Sequence, residues 1–257
     1  MSHFGWVVHK VIEKSDIVLE VLDARFIEET RNIETERKIK NNNKILIHVI
    51  NKCDYVNIKS LEKVKKDLEN CVFVSAKKHL GTTMLKQKIK VLAKIYKIKE
   101  PIVGVIGYPN VGKSSVINAL KGKGSAKTSS EAGHTKGKQY LRISQNIMMI
   151  DTPGVIDKNK TDEESLVLIG AKNPSTMEDP DLAVLTLMEQ NPGLLETNYG
   201  VPVGRDNEKT LEKISLKLNF KMKGGIADIE RASRNILRDW LNGKIKDWGF
   251  FSLLGKR

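Results

Sequence analysis

A glycine-rich octapeptide lying between a strand pattern and a helix pattern constrains this chain most. Gly107–Ser114 (GYPNVGKS) satisfies G-x-x-x-x-G-K-[ST], follows a β-branched run at 102–106 and opens an amphipathic segment. Such a loop turns backbone N–H groups inward around phosphate oxygens at a helix N-terminus. We expect Lys113 to reach the β and γ phosphates and the Ser114 hydroxyl to bind Mg²⁺. The candidate phosphate-binding residues are Asn110, Val111, Gly112, Lys113, Ser114 and Ser115.

Short apolar runs alternate with amphipathic segments over the first 150 residues. The alternation predicts a mostly parallel six-stranded sheet with helices on both faces, whose last two strands form a hairpin. Beyond Gly154 the strand patterns cease, and helical periodicity resumes near Lys209. The predicted strands are 17–22, 44–50, 71–74, 102–106, 140–143 and 147–150, and the predicted helices are 29–40, 58–70, 82–98 and 114–121.

Two polar peptides that follow strand patterns are suited to a guanine base. In Asn51-Lys52-Cys53-Asp54, the Asp54 carboxylate can accept hydrogen bonds from guanine N1 and N2, a donor pair that adenine lacks. The Lys52 stem can lie over the purine face. In Ser75-Ala76-Lys77, the Ala76 N–H can donate to guanine O6.

Asp151-Thr152-Pro153-Gly154 also follows a strand pattern. Its Asp151 can hold Mg²⁺ through water, and its Gly154 N–H can contact the γ-phosphate. Each of these short peptides, taken alone, is also compatible with an ordinary turn. All of them, however, stand at the carboxyl ends of strands, where open α/β sheets bind ligands, and together they predict one nucleotide site.

In combination these motifs resemble the GTPase signature, but in a shuffled order: NKCD, SAK, GYPNVGKS, a threonine-containing loop and DTPG. That order resembles the circularly permuted GTPases of the YlqF/YawG family. Asp16–Asn32 and Lys223–Ile245 extend the resemblance over most of the chain, the latter towards the archaeal and eukaryotic large-subunit assembly GTPases. The resemblance implies a permuted P-loop GTPase domain over residues 1–160, followed by a small, mostly helical domain over 161–257.

The resemblance also implies roles for residues that spacing alone does not assign. Thr135 matches the family's Mg²⁺-binding switch threonine, with Thr128 as a competitor, and Asn110 matches an asparagine that helps to hold K⁺ or only stabilises the loop. Val155 stands where many signalling GTPases carry a water-orienting glutamine, which implies slow hydrolysis raised by a partner. No catalytic residue is assigned, because an exposed structural role is favoured for each candidate histidine, namely His3, His9 and His134.

Charge favours a polyanionic partner. The chain has 44 basic and 31 acidic side chains, a net charge of +13, although a lysine-rich solvated surface would look the same. A helix pattern up to Leu241 predicts a buried arc of Ile226, Ile229, Ile236, Leu237, Trp240 and Leu241. Beside that arc lies an arginine stripe, which is either solvated or binds RNA phosphates: Arg231, Arg234 and Arg238.

These features lead to two functional hypotheses. In the first, a Mg²⁺-dependent GTPase binds rRNA and the large ribosomal subunit or its precursor, and GTP hydrolysis switches it during subunit biogenesis. In the second, the chain is a nucleotide-gated RNA-binding scaffold with negligible turnover. The sequence has neither a membrane-spanning apolar run nor a secretion-signal pattern, so we expect a cytoplasmic monomer without a membrane partner.

Overall fold

Two neighbouring strands inside a mostly parallel sheet are built mainly from apolar and β-branched residues. All residues of β1 (Ile17–Asp23) and β2 (Ile45–Asn51) are buried, as expected for strands that are covered on both faces. The computed structural model describes residues 3–121, 140–144, 147–150, 163–170 and 172–245. The other described strands are β3 (Cys71–Phe73), β4 (Ile102–Ile106), β5 (Tyr140–Ser144) and β6 (Ile147–Ile150).

The six strands follow the order β3-β2-β1-β4-β6-β5. Only β5 runs antiparallel to its neighbour, because it forms a hairpin with β6. The prediction of a six-stranded, mostly parallel sheet is confirmed. Since β1, β2, β3 and β4 run in the same direction, the peptides that follow them meet at one edge of the sheet.

Six helices are described before residue 122, and contacts with β1, β2, β4 and β5 place several of them against this sheet. An N-terminal helix that was not predicted from the sequence packs against β4. It supplies Val8, Val11 and Ile12 to a core cluster that includes Val18 and Leu46. These helices are α1 (His3–Lys14), α2 (Ile27–Thr30), α3 (Ile33–Asn41), α4 (Ile58–Asp67), α5 (Thr82–Ile95) and α6 (Lys113–Lys121).

The helix predicted over 29–40 is two helices, α2 and α3, separated at Arg31 and Asn32. The Asn32 side chain accepts a hydrogen bond from the Thr35 N–H and so caps α3. Because a cap residue takes a non-helical backbone conformation, the helix restarts at this point instead of continuing from α2.

The chain divides into two compact units, Met1–Asp54 with Leu61–Asp157, and Tyr55–Ser60 with Lys158–Arg257. In the second unit α11 packs against α7, α8 and α10, and the Trp240 indole N–H donates to the Leu168 carbonyl at 3.1 Å. The described helices beyond residue 150 are α7 (Glu163–Leu168), α8 (Pro180–Gln190), α9 (Leu194–Tyr199), α10 (Asn207–Lys217) and α11 (Ile229–Leu241).

The start of α11 corrects one sequence prediction. The Asp228 side chain caps the helix by accepting from the Arg231 N–H, so the helix begins at Ile229. Ile226, predicted to be in the buried arc, precedes the cap and is 64% exposed, whereas Ile236, Leu237 and Trp240 are buried as predicted. Among the described residues, we find no helix with the length and apolarity that a membrane crossing requires.

Candidate functional site

The loop between β4 and α6 has the backbone conformation that its glycines permit. Gly107 and Gly112 have φ of +142° and +99°, values that residues with a side chain rarely adopt. A Cβ at Gly107 would lie 2.4 Å from the Val21 carbonyl oxygen, and one at Gly112 would lie 2.2 Å from Asn51 Nδ2. Both glycines are therefore needed for conformation and for close packing.

Lys113, the first residue of α6, folds back over this loop. Its side chain is 7% exposed, and its ammonium group donates to the Gly107 carbonyl at 2.9 Å and to the Tyr108 carbonyl. Ser114 and Ser115 follow on the first turn of the helix and are exposed. A cation and two hydroxyl-bearing residues thus stand together at a helix N-terminus, which is an arrangement suited to phosphate.

The Asn51 side chain connects its own NKCD peptide to the SAK peptide and to the phosphate loop. Its side-chain amide donates from Nδ2 to the Val111 carbonyl at 2.8 Å, while Oδ1 accepts from the Ala76 N–H at 3.1 Å. Asn51 is buried, with 3% exposure. NKCD, SAK and GYPNVGKS therefore lie together at the carboxyl edge of the sheet. Because the Ala76 N–H donates to Asn51, its contact with guanine O6 stays a prediction.

Asp54 lies in the 3-10 turn that follows β2. Its carboxylate is 8% exposed, and Oδ2 lies 3.5 Å from the Lys78 ammonium. The Cys53 N–H donates to the Val74 carbonyl, which connects this turn to the chain leading into Ser75. This bond holds the turn that carries Asp54 beside the chain that leads into the SAK peptide.

A charged cluster that the sequence motifs did not predict lies beside Lys52. The Asp23 carboxylate lies 2.7 Å from the Lys52 ammonium and accepts two hydrogen bonds from the Arg25 guanidinium. Burial favours the neutral acid, but Arg25 and Lys52 outweigh it and lower the pKa of Asp23. Burial also lowers the pKa of Lys52, against the opposing effect of Asp23. The ionised Asp23 thus fixes the ammonium end of the Lys52 stem.

Several predicted residues cannot be located at this site. Thr135, Asp151 and Gly154 lie outside the described residues, as do Thr128 and Val155. Their proposed contacts with Mg²⁺, the γ-phosphate and the attacking water stay predictions. Lys77 is exposed beside Ala76, and Asn110 adopts a positive φ of +58° within the phosphate loop.

The arginine stripe of α11 is less uniform than its spacing suggests. The Arg234 guanidinium donates to the Pro174 carbonyl at 2.6 Å, to the Met177 carbonyl at 3.0 Å and to Glu230. Arg231 lies over the Phe220 ring at 4.8 Å, whereas Arg238 is exposed. Arg234 therefore has a structural role. Because its guanidinium already binds carbonyls of the second unit, it is a weaker candidate for an RNA contact than Arg231 or Arg238.

Family models match most of the chain. One described as RsgA GTPase matches residues 17–159, which is more than half of the chain. The chain belongs to the RsgA family of circularly permuted GTPases. A second model, described as 50S ribosome-binding GTPase, matches residues 102–219.

Relatives of this permuted GTPase include a GTP-binding protein of Methanocaldococcus jannaschii, 43% identical over 93% of this chain and 65% of the relative. Nucleolar GTP-binding protein 2 of Neurospora crassa is 33% identical over 93% of this chain and 40% of its own length. This chain thus spans less than two thirds of either relative. The structure of GNP-bound YlqF from T. maritima shares the fold, with a TM-score of 0.69 and 24% identity over 94% of each chain.

Proposed function

We propose that this chain binds GTP and hydrolyses it to GDP and phosphate, with residues 1–160 as the GTPase domain. The observation that carries the proposal is the pair of Asn51 hydrogen bonds to the Val111 carbonyl and the Ala76 N–H. These bonds join the peptides that carry Asp54, the proposed guanine contact, and Lys113, the proposed phosphate contact, at one edge of the sheet. A ligand with a guanine at one end and phosphates at the other matches that chemistry.

We propose Ser114, Thr135 and Asp151 as the residues that hold Mg²⁺. The described part of this set fits, because Ser114 is exposed on the first turn of α6, next to Lys113. Hydroxyl and carboxylate oxygens are the ligands that Mg²⁺ prefers. Bound Mg²⁺ would neutralise phosphate charge. Asn110 is proposed as a K⁺ ligand.

Hydrolysis by the isolated chain is proposed to be slow. A valine at position 155 has no group that can orient water, and no other residue is assigned to that role. A partner that supplies the missing group, or orders the residues around it, would raise the rate. The proposed catalytic step therefore depends on an assembly rather than on this chain alone.

We propose that the partner is rRNA within the large ribosomal subunit or its precursor. Two names support this proposal: one matching family model describes 50S ribosome-binding GTPases, and one set of relatives is called nucleolar GTP-binding protein 2. The net charge of +13 would favour association with RNA. Within residues 161–257, Arg231 and Arg238 are the proposed phosphate contacts, with Arg234 ranked below them.

Turnover measurements with and without purified large ribosomal subunits test this function. The switch hypothesis predicts that the GTP-bound form binds the large subunit and that phosphate release accelerates there, while small subunits have no effect. Tight GTP-dependent binding without acceleration would favour the alternative, a nucleotide-gated RNA-binding scaffold. Failure to bind the large subunit would contradict the proposed partner.

A further inference from the structure

Two carboxylates and an imidazole meet inside the first unit, on the sheet face that carries α3. Glu20 on β1 and His48 on β2 are register partners, and Glu36 projects from α3. Each of the three residues is no more than 5% exposed. One ligand atom from each residue lies within 4.8 Å of the other two. Such a cluster is unusual in a sheet face that is otherwise built from residues such as Val18 and Leu46.

The hydrogen bonds among the described residues leave two buried polar atoms of this cluster unsatisfied. His48 Nδ1 lies 3.2 Å from the Glu69 carbonyl, which can only accept, so Nδ1 carries the hydrogen in a neutral ring. The lone pair on Nε2 then faces Glu20 Oε2 at 3.5 Å and Glu36 Oε1 at 3.4 Å. Neither His48 Nε2 nor Glu20 Oε2 has a hydrogen-bond partner among the described residues. Burying unsatisfied acceptors is unfavourable, and a cation between them would satisfy both.

Surrounding contacts already hold the carboxylates in place. Glu20 Oε1 accepts from the Asn32 N–H at 3.1 Å, and the Arg31 guanidinium donates to both oxygens of Glu36 at 2.5 and 3.0 Å. Outer contacts of this kind are what orients ligands around a metal ion.

We propose that Glu20, Glu36 and His48 form a site for a divalent transition-metal ion, with Zn²⁺ as the preferred occupant. Tetrahedral Zn²⁺, with bonds of about 2.0–2.1 Å, places neighbouring ligand atoms roughly 3.3–3.4 Å apart. The two separations from His48 Nε2, 3.4 and 3.5 Å, match that spacing. An imidazole ligand disfavours Mg²⁺ and Ca²⁺, which prefer oxygen alone.

The site lies beside a cavity and connects three elements of the first unit. A cavity of about 370 Å³ borders two of the three ligand residues, Glu36 and His48, and Arg31 lines it as well. The ion would tie α3 to β1 and β2. Its role is thus to stabilise the first unit, separately from the Mg²⁺ proposed for the nucleotide, and it does not depend on GTP hydrolysis.

The test uses the full, untagged chain, stripped with a chelator and free of nucleotide. Titration with Co²⁺ should show one equivalent bound, with visible absorption of a four- or five-coordinate ion that Zn²⁺ abolishes and millimolar Mg²⁺ leaves unchanged. Zn²⁺ at a hundredfold excess over its Kd should raise the thermal midpoint by about 5–10 °C. Absence of a stoichiometric Co²⁺ signal in the wild-type chain would overturn the proposal without any variant.

Variants then assign the ligands. His48→Gln and Glu20→Gln should each weaken Co²⁺ binding at least about tenfold and remove the Zn²⁺-dependent midpoint shift. His9→Gln is the matched control, because His9 is exposed on α1. This variant should keep both the Co²⁺ affinity and the Zn²⁺-dependent midpoint shift. Binding that survives His48→Gln and Glu20→Gln equally would show adventitious surface binding and overturn the proposal. If one of these variants does not melt cooperatively, the other carries the assignment.

Discussion

The phosphate-loop edge of the first unit and the arginine-bearing face of α11 in the second unit both present basic side chains, but they use them differently. At the sheet edge, Lys113 is held by the carbonyls of its own loop, next to glycines with positive φ. On α11, the Arg234 guanidinium binds the carbonyls of Pro174 and Met177 and so joins two parts of the second unit. The same kind of contact, a cation on backbone carbonyls, forms a candidate ligand site in one region and a structural link in the other.

The difference shows which sequence signals predict a site. The octapeptide GYPNVGKS demands a particular backbone, because only glycine fits at Gly107 and Gly112. The structure around Lys113 can therefore be predicted from the loop sequence alone. The spacing of arginines along a helix predicts only which face of the helix they share. Whether each guanidinium contacts solvent, an aromatic ring or a carbonyl depends on the residues packed next to it.

The largest effect is expected at the sheet edge for Lys113→Ala. Removing the ammonium group should weaken GTP binding at least about 100-fold, because two charge-assisted contacts to phosphate are lost. Titration of a fluorescent GTP analogue measures the change. Lys90→Ala, at an exposed lysine of α5, is the control and should keep wild-type affinity. Retained affinity in Lys113→Ala would contradict the phosphate-loop assignment.

Gly112→Ala should have the next largest effect. The new Cβ would meet Asn51 Nδ2 in a backbone conformation that alanine rarely adopts, so GTP affinity should fall about tenfold or more. Gly224→Ala is the matched control in the second unit, because Gly224 has a φ of +88° but open space around its Cβ position. It should lower the thermal midpoint and leave GTP affinity unchanged. Equal GTP affinities for the two variants would mean that the Asn51 contact does not matter for the site.

The smallest effects separate two arginines of α11. Arg234→Ala should destabilise the second unit by about 1–3 kcal/mol, because the Pro174 and Met177 carbonyls lose their donor. Arg238→Ala should change stability by less than about 0.5 kcal/mol. It should instead weaken RNA binding and reduce the slope of log affinity against log salt by about 0.7–0.9. Thermal melts and filter binding at several salt concentrations measure both. An unchanged midpoint in Arg234→Ala would place that arginine among the solvated ones.

Much of the fold could be predicted because its signals are local. Buried parallel strands such as β1 and β2 are mostly apolar, and the peptides that follow them carry the polar residues of the candidate site. The N-terminal helix α1 could not be placed in the same way, because its apolar residues become informative only once β4 and α3 are there to cover them. The break between α2 and α3 was not predicted either. The Asn32 side chain caps α3 through a hydrogen bond, and the apolar periodicity of the sequence does not reveal such a contact.

Two clusters of charged and titratable side chains were missed for a related reason. The Asp23, Arg25 and Lys52 cluster joins residues from the ends of β1 and β2, and the Glu20, Glu36 and His48 cluster joins two strands and a helix. Their register brings them together, and no spacing rule links them along the chain. The NKCD and SAK peptides were recognised because each motif lies within a few consecutive residues.

The base preference of Asp54→Asn tests the central claim most directly. Wild-type chain should bind GTP in preference to XTP and ATP, because the Asp54 carboxylate accepts from guanine N1 and N2. Asp54→Asn should lose about tenfold or more in GTP affinity and gain affinity for XTP, so that the preference reverses in competition titrations. Asp67→Asn, at an exposed carboxylate of α4, should bind as the wild type does. An Asp54→Asn variant that still prefers guanine nucleotides would contradict the claim that NKCD, SAK and the phosphate loop form one GTP site.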